Sequence, residues 1–223
     1  MTRLAEQRQE AGGPSRKVHV VDDDPMVLAA IARLLRLHDF DVAIHAGAQA
    51  FLDAYDPAQT CCALVDVAMP GMDGLALQAL LLQRDGPPLV FLSGFADVAT
   101  CAAAMRHGAV DFLKKPVDEA MLVAALERAL QRDAQMRERR AERSDAERRL
   151  ATLTAREFEV LQHVMSGRLN KQIAYDLDIA EKTVKVHRAR AMEKMGVQSV
   201  AAVVQLVERW LADAVRARGK QPG

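Results

Sequence analysis

The chain has 223 residues, half of them apolar, and 30 Lys/Arg against 30 Asp/Glu, so its formal net charge is zero. That composition excludes a disordered or collagen-like chain. No apolar run approaches the roughly 20 residues of a membrane helix, and the polar N-terminus lacks a signal-peptide core, which predicts a cytoplasmic protein with no membrane partner. The zero hides an asymmetry. Residues 1–130 hold 11 Lys/Arg against 17 Asp/Glu (11 − 17 = −6), and residues 131–223 hold 19 against 13 (19 − 13 = +6). The split predicts two domains with different partners, the basic one a candidate for nucleic acid.

In chain order, residues 1–16 are polar, break at Gly12-Gly13-Pro14 and read as a flexible tail. A domain follows over residues 17–130. Short apolar runs at Val18–Val21, Val42–Ile44, Cys61–Val65, Leu89–Leu92 and Val110–Leu113 read as strands. They alternate with helical spacing at Pro25–Leu37, Ala48–Tyr55, Gly74–Gln83 and Asp97–His107, and a last helix starts near Asp118. Five strands alternating with five helices predict an α/β fold, a parallel sheet covered on both faces in the flavodoxin-like (βα)5 order 2-1-3-4-5. Residues 131–149 have no Gly or Pro and interleave charge, which predicts a solvated helical linker prolonging the last helix. Leu122, Leu126, Leu130 and Met136 form only a partial stripe for a coiled coil. Residues 150–216 are all helical. Thr154 and Glu157 make a capping box for a helix through Met165, Asn170 caps a helix over Lys171–Leu177, a third runs from about Lys182 to Met195, and a fourth spans Val200–Val215. Four short helices make a small bundle, the middle pair spaced as a helix-turn-helix. Residues 217–223 are a tail.

Three cysteines, Cys61, Cys62 and Cys101, make neither a disulfide framework nor metal-ligand spacing. They read as small buried hydrophobes, with a redox role for the adjacent Cys61–Cys62 pair as the alternative.

Open parallel sheets bind ligands at the carboxyl ends of their strands. Strand 1 ends in Asp22-Asp23, strand 3 in Asp66, strand 4 in Ser93 and strand 5 in Lys114-Lys115-Pro116. Asp24 is better read as a helix N-cap with Pro25 in the first turn. Three carboxylates on one rim repel unless a hard cation sits among them, and oxygen ligands suit Mg²⁺. Such a site carries out phosphoryl transfer: Asp66 is the nucleophile, Lys115 pairs with the phosphoryl charge and Ser93 hydrogen-bonds one of its oxygens. The alternative is an acidic surface run beside an unrelated buried Asp.

The segments VVDDDP (20–25), LVDVAMPGMDG (64–74), FLSG (91–94) and GAVDFLKKP (108–116) closely resemble response-regulator receiver domains, over roughly residues 16–130. The resemblance implies Mg²⁺ held by Asp22, Asp23, Asp66 and the backbone carbonyl of Ala68, with phosphate arriving on Asp66 from a sensor histidine kinase. It also implies switch roles for Ser93, which swings toward the phosphoryl group, and Phe112, which turns inward behind it. Two positions that tune phosphoryl lifetime in that family, Ala68 and Phe95, are apolar.

The third helix of the bundle has two faces: Val184, Ala191 and Met195 on one, and Lys182, Lys185, Arg188 and Arg190 outside it. A short basic helix presented by a preceding one suits the DNA major groove; alone it is more often a solvated face, and its place as third helix of a compact bundle reverses that reading. Residues 153–197 are similar to the LuxR-type helix-turn-helix of the FixJ and NarL families, through Arg156-Glu157, Gly167, Asn170-Lys171, Ile173-Ala174, Thr183-Val184-Lys185 and His187. By that resemblance Lys185 and Val186 meet bases, with Arg188 a further candidate. Lys182, Thr183 and Lys194 meet phosphates, and His187 is either a DNA contact or structural. Ala180 departs from the family's Ser cap, at a cost of about 0.5–2 kcal/mol.

The whole therefore resembles a two-component response regulator whose phosphorylation controls binding to promoter DNA. Partners implied are the kinase, a second copy of the chain on phosphorylation, and RNA polymerase. It is not read as an enzyme beyond slow self-dephosphorylation. A phosphatase reading leaves the DNA-binding bundle without purpose, and a phosphorylation-independent binder typically loses an acceptor-site residue, whereas none is lost here.

Overall fold

The computed structural model describes residues 16–94 and 97–205. The expectations for residues 1–15, for Phe95, for the helix Val200–Val215 beyond residue 205 and for residues 217–223 lie outside the described residues. The chain divides into two compact units, Met1–Arg137 and Glu138–Gly223.

In the first unit the strands β1 (Lys17–Val21), β2 (Asp41–His45), β3 (Cys61–Asp66), β4 (Leu89–Ser93) and β5 (Asp111–Lys114) form one sheet in the order β2-β1-β3-β4-β5. Every pairing is parallel. The helices α1 (Pro25–Leu37), α2 (Ala48–Ala54), α3 (Gly74–Gln83) and α4 (Val98–Arg106) supply the crossovers, and α5 (Glu119–Ala151) follows the last strand. The period of two sorts the strand residues onto two cores. Val18, Val20, Cys62, Leu64, Val90 and Leu92 pack with Leu28, Ile31 and Leu35 of α1 and Leu122 and Leu126 of α5. Val21, Ala63, Val65 and Phe91 pack on the opposite face with Phe51 of α2 and Leu77 and Leu81 of α3. Every residue of β3 is buried, as a central strand covered on both faces requires.

Acidic residues cap several helices, Asp118 among them, its side chain accepting from Met121 N at 3.0 Å at the start of α5. Asp24, Asp73 and Asp97 accept from the backbone N–H groups of Met26, Ala76 and Thr100, at 2.8, 2.7 and 2.6 Å, satisfying donors a helix start leaves orphaned. The helix expected through Tyr55 stops at Ala54, because Tyr55 turns to extended backbone (ψ 122) ahead of Asp56-Pro57, where proline disfavours helical geometry in the residue before it. Strand β5 sits one residue later than expected. Arg16, expected in the tail, is tied down: it donates to Glu127 at 3.2 Å and lies 4.3 Å over the Phe40 ring.

The helix α5 is continuous over 33 residues, and most of its side chains from Gln131 onward are exposed, with one exception in the first turns. Asp133 is only 2% exposed. Its carboxylate accepts from the Cys61 backbone N–H at 3.1 Å and from Arg137 Nε at 2.6 Å. Arg137 in turn donates to the backbone carbonyls of Pro57, at 2.9 Å, and Gln59. Residues 131–137 therefore belong to the first unit.

In the second unit α6 (Ala155–Met165), α7 (Asn170–Asp176) and α8 (Glu181–Met195) precede a helix that begins at Val200. The capping box is present: Thr154 Oγ1 accepts from Glu157 N, and Glu157 Oε2 accepts from Thr154 N at 2.9 Å. Asn170 does not cap α7. Leu169 holds the N-cap position, its N–H donating to Gln172 Oε1 at 2.9 Å, and the Asn170 side chain is engaged elsewhere. The turn between α7 and α8 passes through Asp178 at φ 51, a left-handed conformation that Asp tolerates better than bulkier residues. Ala180 at the N-cap of α8 makes no side-chain cap. Val160, Val164, Ile173 and Val184 form one small core, and Leu161, Ala191, Met195 and Val203 another.

Candidate functional site

The carboxyl ends of β1, β3, β4 and β5 bring Asp22, Asp66, Ser93 and Lys115 to one rim. Asp22, Asp66 and Ser93 are buried, at 3%, 7% and 2% exposure. Lys115 Nζ lies 2.6 Å from Asp22 Oδ2 and 2.6 Å from Asp66 Oδ1, so one ammonium bridges the two carboxylates. The remaining oxygens are also oriented: Asp22 Oδ1 accepts from Asp24 N at 2.9 Å and Asp66 Oδ2 from Ala68 N at 2.7 Å. Burial pulls the Lys115 pKa down, but the hydrogen bonds to Asp22 and Asp66 outweigh it, and the net shift is upward. The ammonium is therefore charged at any physiological pH.

Two features place Asp66 at that point. The N-terminus of α3 is folded back onto the end of β3, with Gly74 N donating to the Val67 carbonyl at 2.9 Å. A Cβ at Gly74 would lie 2.5 Å from the Asp66 carbonyl oxygen and 3.0 Å from the Phe91 ring, so only glycine permits that approach. On the other side, Lys115 N donates to the Ser93 carbonyl at 2.8 Å, joining the ends of β4 and β5.

The remaining expected rim residues are less tightly gathered. Asp23 and Ala68 are exposed. Phe112 is half-buried, packed against Phe91 with ring centroids 5.9 Å apart. Among the described residues no three His, Cys, Asp or Glu side chains are drawn together closely enough to hold a metal ion, because Lys115 stands between two of the carboxylates. In kind the donors fit a hard cation: Asp22, Asp23, Asp66 and the Ala68 carbonyl offer oxygen only.

The cysteines take no part. Burial, reinforced by the charge of Asp133, raises the Cys61 thiol to about 11, and burial beside Cys61 raises Cys62 well above its usual value. Both side chains are fully buried, as small apolar residues would be.

On α8 the expected residues divide. Lys182 is exposed, Val186 is 43% exposed and Thr183 is half-buried. Lys185 is exposed and pairs with Glu181 one turn earlier at 3.1 Å. Arg188 is part-buried and donates to Asn170 Oδ1 at 3.1 Å, which is why Asn170 is not free to cap. Asn170, Lys185 and Arg188, together with Gln198 and Ser199, edge a concavity of about 560 Å³. His187 is half-buried, and its Nδ1 has no hydrogen-bond partner among the described residues.

Lys194 is committed inside the bundle instead. Its ammonium contacts Glu157 Oε2 at 2.6 Å and the Thr152 carbonyl at 3.1 Å. The Lys194 hydrogen bond and the Thr154 N–H hold the Glu157 carboxyl down at about 2. Arg156 likewise donates to the Leu177 carbonyl at 2.6 Å, closing the end of α7. The Arg156-Glu157 pair therefore fastens α6 to its neighbours. Asn170 and Gly74 stood in the motifs, but their roles depend on residues 18 positions away or on backbone approach, which spacing does not encode.

Comparison with known proteins gives matches over both units. Residues 18–127 match the response regulator receiver domain, and residues 151–207 match the luxR family of bacterial regulatory proteins. The transcriptional regulatory protein FixJ of Azorhizobium caulinodans is 40% identical over 193 residues, 86% of this chain and 92% of FixJ. The response regulator protein TmoT of Ectopseudomonas mendocina is 38% identical, over 94% of this chain and 95% of TmoT. Among solved structures, the response regulator StyR aligns with a TM-score of 0.77 at 43% identity, over 86% of this chain and 98% of StyR. Full-length FixJ from B. japonicum aligns at 0.54 and 35% identity, over 89% and 98%.

Proposed function

The chain belongs to the two-component response regulators that join a receiver domain to a LuxR-type DNA-binding domain, and from that premise we propose that Asp66 is its phosphoacceptor and α8 its reader of promoter DNA. The protein is a transcription regulator. The domains proposed are a receiver over 17–130, a helical linker over 131–149 and a DNA-binding domain over 150–216. The first turns of that linker are packed on the receiver.

The observation that carries the phosphoacceptor reading is the Lys115 ammonium shared between Asp22 and Asp66 at 2.6 Å each. A carboxylate held beside a fixed cation is poised for attack on phosphorus, since most of the catalysis in phosphoryl transfer is positioning and charge neutralisation. A carboxylate oxygen of Asp66 attacks the phosphorus of a kinase phosphohistidine. The P–N bond breaks, the imidazole leaves with the electron pair and takes up a proton, and an acyl phosphate remains on Asp66. Lys115 turns from the carboxylate pair to the phosphoryl oxygens, and Ser93 hydrogen-bonds one of them. Asp22, Asp23, Asp66 and the Ala68 carbonyl would hold Mg²⁺, which would supply further positive charge between the two anions.

Phe112 stands on β5, which ends just before Lys115, and occupies the pocket behind the phosphoryl group when Ser93 engages it. The altered β5 face then pairs with a second copy. Two DNA-binding units on a two-part site follow, with Lys185, Val186 and Arg188 at bases, Lys182 and Thr183 at phosphates, and His187 supporting the helix between them. Bound there, in the cytoplasm, the dimer engages RNA polymerase.

Asp66→Asn is expected to abolish the mass gain of one phosphoryl group on incubation with acetyl phosphate and Mg²⁺. Incorporation persisting at another residue would overturn the assignment. Native mass with and without acetyl phosphate tests the dimer: a wild-type mass that stays monomeric while Asp66 is phosphorylated sinks that part of the reading.

A further inference from the structure

We propose that Asp133 and Arg137 are positioning residues of the switch: they fix the linker helix to the loop before β3, so that a change at the phosphorylated rim reaches the DNA-binding unit through a helix that cannot turn independently of the receiver. The proposal rests on the phosphorylation reading above and goes beyond it by naming the anchor.

The stretch 131–149 is dense in charge, and in such a run an acid is ordinarily solvated. Asp133 breaks that rule, its side chain being 3% exposed. A carboxylate so far out of water is tolerated only where its oxygens are paired. Here the Cys61 backbone N–H and Arg137 Nε supply the partners, at 3.1 and 2.6 Å. Cys61 is the first residue of β3, so its N–H is a buried donor at the strand's start that needs an acceptor. Arg137, one turn further along, donates to the carbonyls of Pro57 and Gln59. The planar guanidinium thereby ties three points, one helix and two loop carbonyls, in a geometry that a lysine does not reproduce. The compact unit ends at the same residue, Arg137.

The placement matters because of what lies at the two ends. The strand that begins at Cys61 ends at Asp66. The helix that carries Asp133 begins at Glu119, four residues after Lys115, and runs without interruption to Ala151. The rim and the linker are thus joined twice, once along β3 and once along α5, and Asp133 closes the loop between the two paths. With the clamp intact, the two elements move as one body. Without it, the helix is free of the sheet beyond Leu130, the last residue of α5 buried in the receiver core.

The test compares full-length wild type with Asp133→Asn and Arg137→Ala. Asn keeps an oxygen for the Cys61 N–H and removes the charge facing Arg137. The Arg137 change acts at a side chain 21% exposed and keeps the proposal testable if the Asp133 variant folds poorly. Two quantities are measured: the rate of phosphorylation by acetyl phosphate, and affinity for a duplex selected from a random pool by phosphorylated wild type, before and after phosphorylation. The variants are expected to be phosphorylated within about twofold of the wild-type rate and to lose most of the phosphorylation-dependent gain, which for a coupling of ordinary size is roughly 5- to 150-fold. The double variant should lose no more than either single one, and Arg137→Lys should recover little. If wild type shows the gain and both variants keep it, the anchor is overturned and the phosphorylation reading stands. If wild type itself is phosphorylated yet shows no gain, that reading fails and takes the anchor with it.

Discussion

Gly74 illustrates how little room Asp66 has. The first turn of α3 lies against the carbonyl of Asp66, so a methyl group there would enter the van der Waals shell of backbone, which cannot rotate away. Gly74→Ala is expected to cost about 1–3 kcal/mol by overpacking. Because the strain falls on Asp66 itself, it should also slow phosphorylation. Urea unfolding and the acetyl phosphate reaction on the same sample check both, and a variant of full stability and full rate would show that the joint yields freely. Lys194 makes the complementary point. A lysine near the end of a basic helix reads as a phosphate contact, yet Glu157 and the Thr152 carbonyl already hold it. Its charge fastens the helix that carries the lysines proposed to meet DNA.

Between elements, the pairing of β1 with β2 buries two histidines. His19 Nδ1 and His45 Nε2 lie 2.9 Å apart, inside a cluster with Phe51 and Tyr55. Burial, then the nearby His45 and Lys17, lowers the His19 pKa to about 4, and burial foremost also lowers His45. The folded state therefore keeps His19 neutral where the unfolded chain, with the ordinary value of 6.5, takes up a proton. The unfolded state binds more protons between those two values, so the stability from a neutral His19 is complete above about 6.5 and is lost as pH falls toward 4. Urea midpoints across that window should fall with acid in wild type. The slope should be shallower in His19→Gln, which does not titrate but still offers His45 a hydrogen bond. An unchanged slope would mean that other groups govern acid unfolding.

The same scale shows what could be read in advance. Strand and helix order was legible because apolar runs alternate with helical spacing, and the rim because four strand ends finish in acids, a hydroxyl and a lysine. Element ends differ from the expected ones by one residue, among them those of α2, α4, β5, α7 and α8. The anchoring of Asp133 was not legible. In a segment such as QRDAQMRERR one carboxylate looks like any other, and its burial is decided by a loop 72 residues earlier. Nor was the Asn170–Arg188 bond, since an asparagine before a helix satisfies the capping rule equally well.

At the scale of the whole molecule, the opposed charges of the two halves divide the work: an acidic receiver and a basic reader, joined by one helix. Among the described residues no helix is long and apolar enough to cross a membrane. DNA affinity should fall steeply with salt, each phosphate contact contributing about −0.9 to the slope of log K against log salt. Lys182→Ala is expected to weaken selected and random duplexes alike and to flatten that slope by about one contact. Lys185→Ala should instead cost about 1–3 kcal/mol on the selected duplex and little on random DNA. Anisotropy titrations over a salt series distinguish them, and equal losses for both variants on both duplexes would refute the division between base and phosphate contacts.

The cysteines carry a practical consequence. Two thiols are sealed in the sheet with raised pKa values, while Cys101, on α4 between β4 and β5 in the chain, is only partly covered. A maleimide dye applied to native protein will therefore mark Cys101 first, without any residue being engineered away. That fluorophore would sit on the helix between the strands that carry Ser93 and Lys115, where its emission can report the switch in real time.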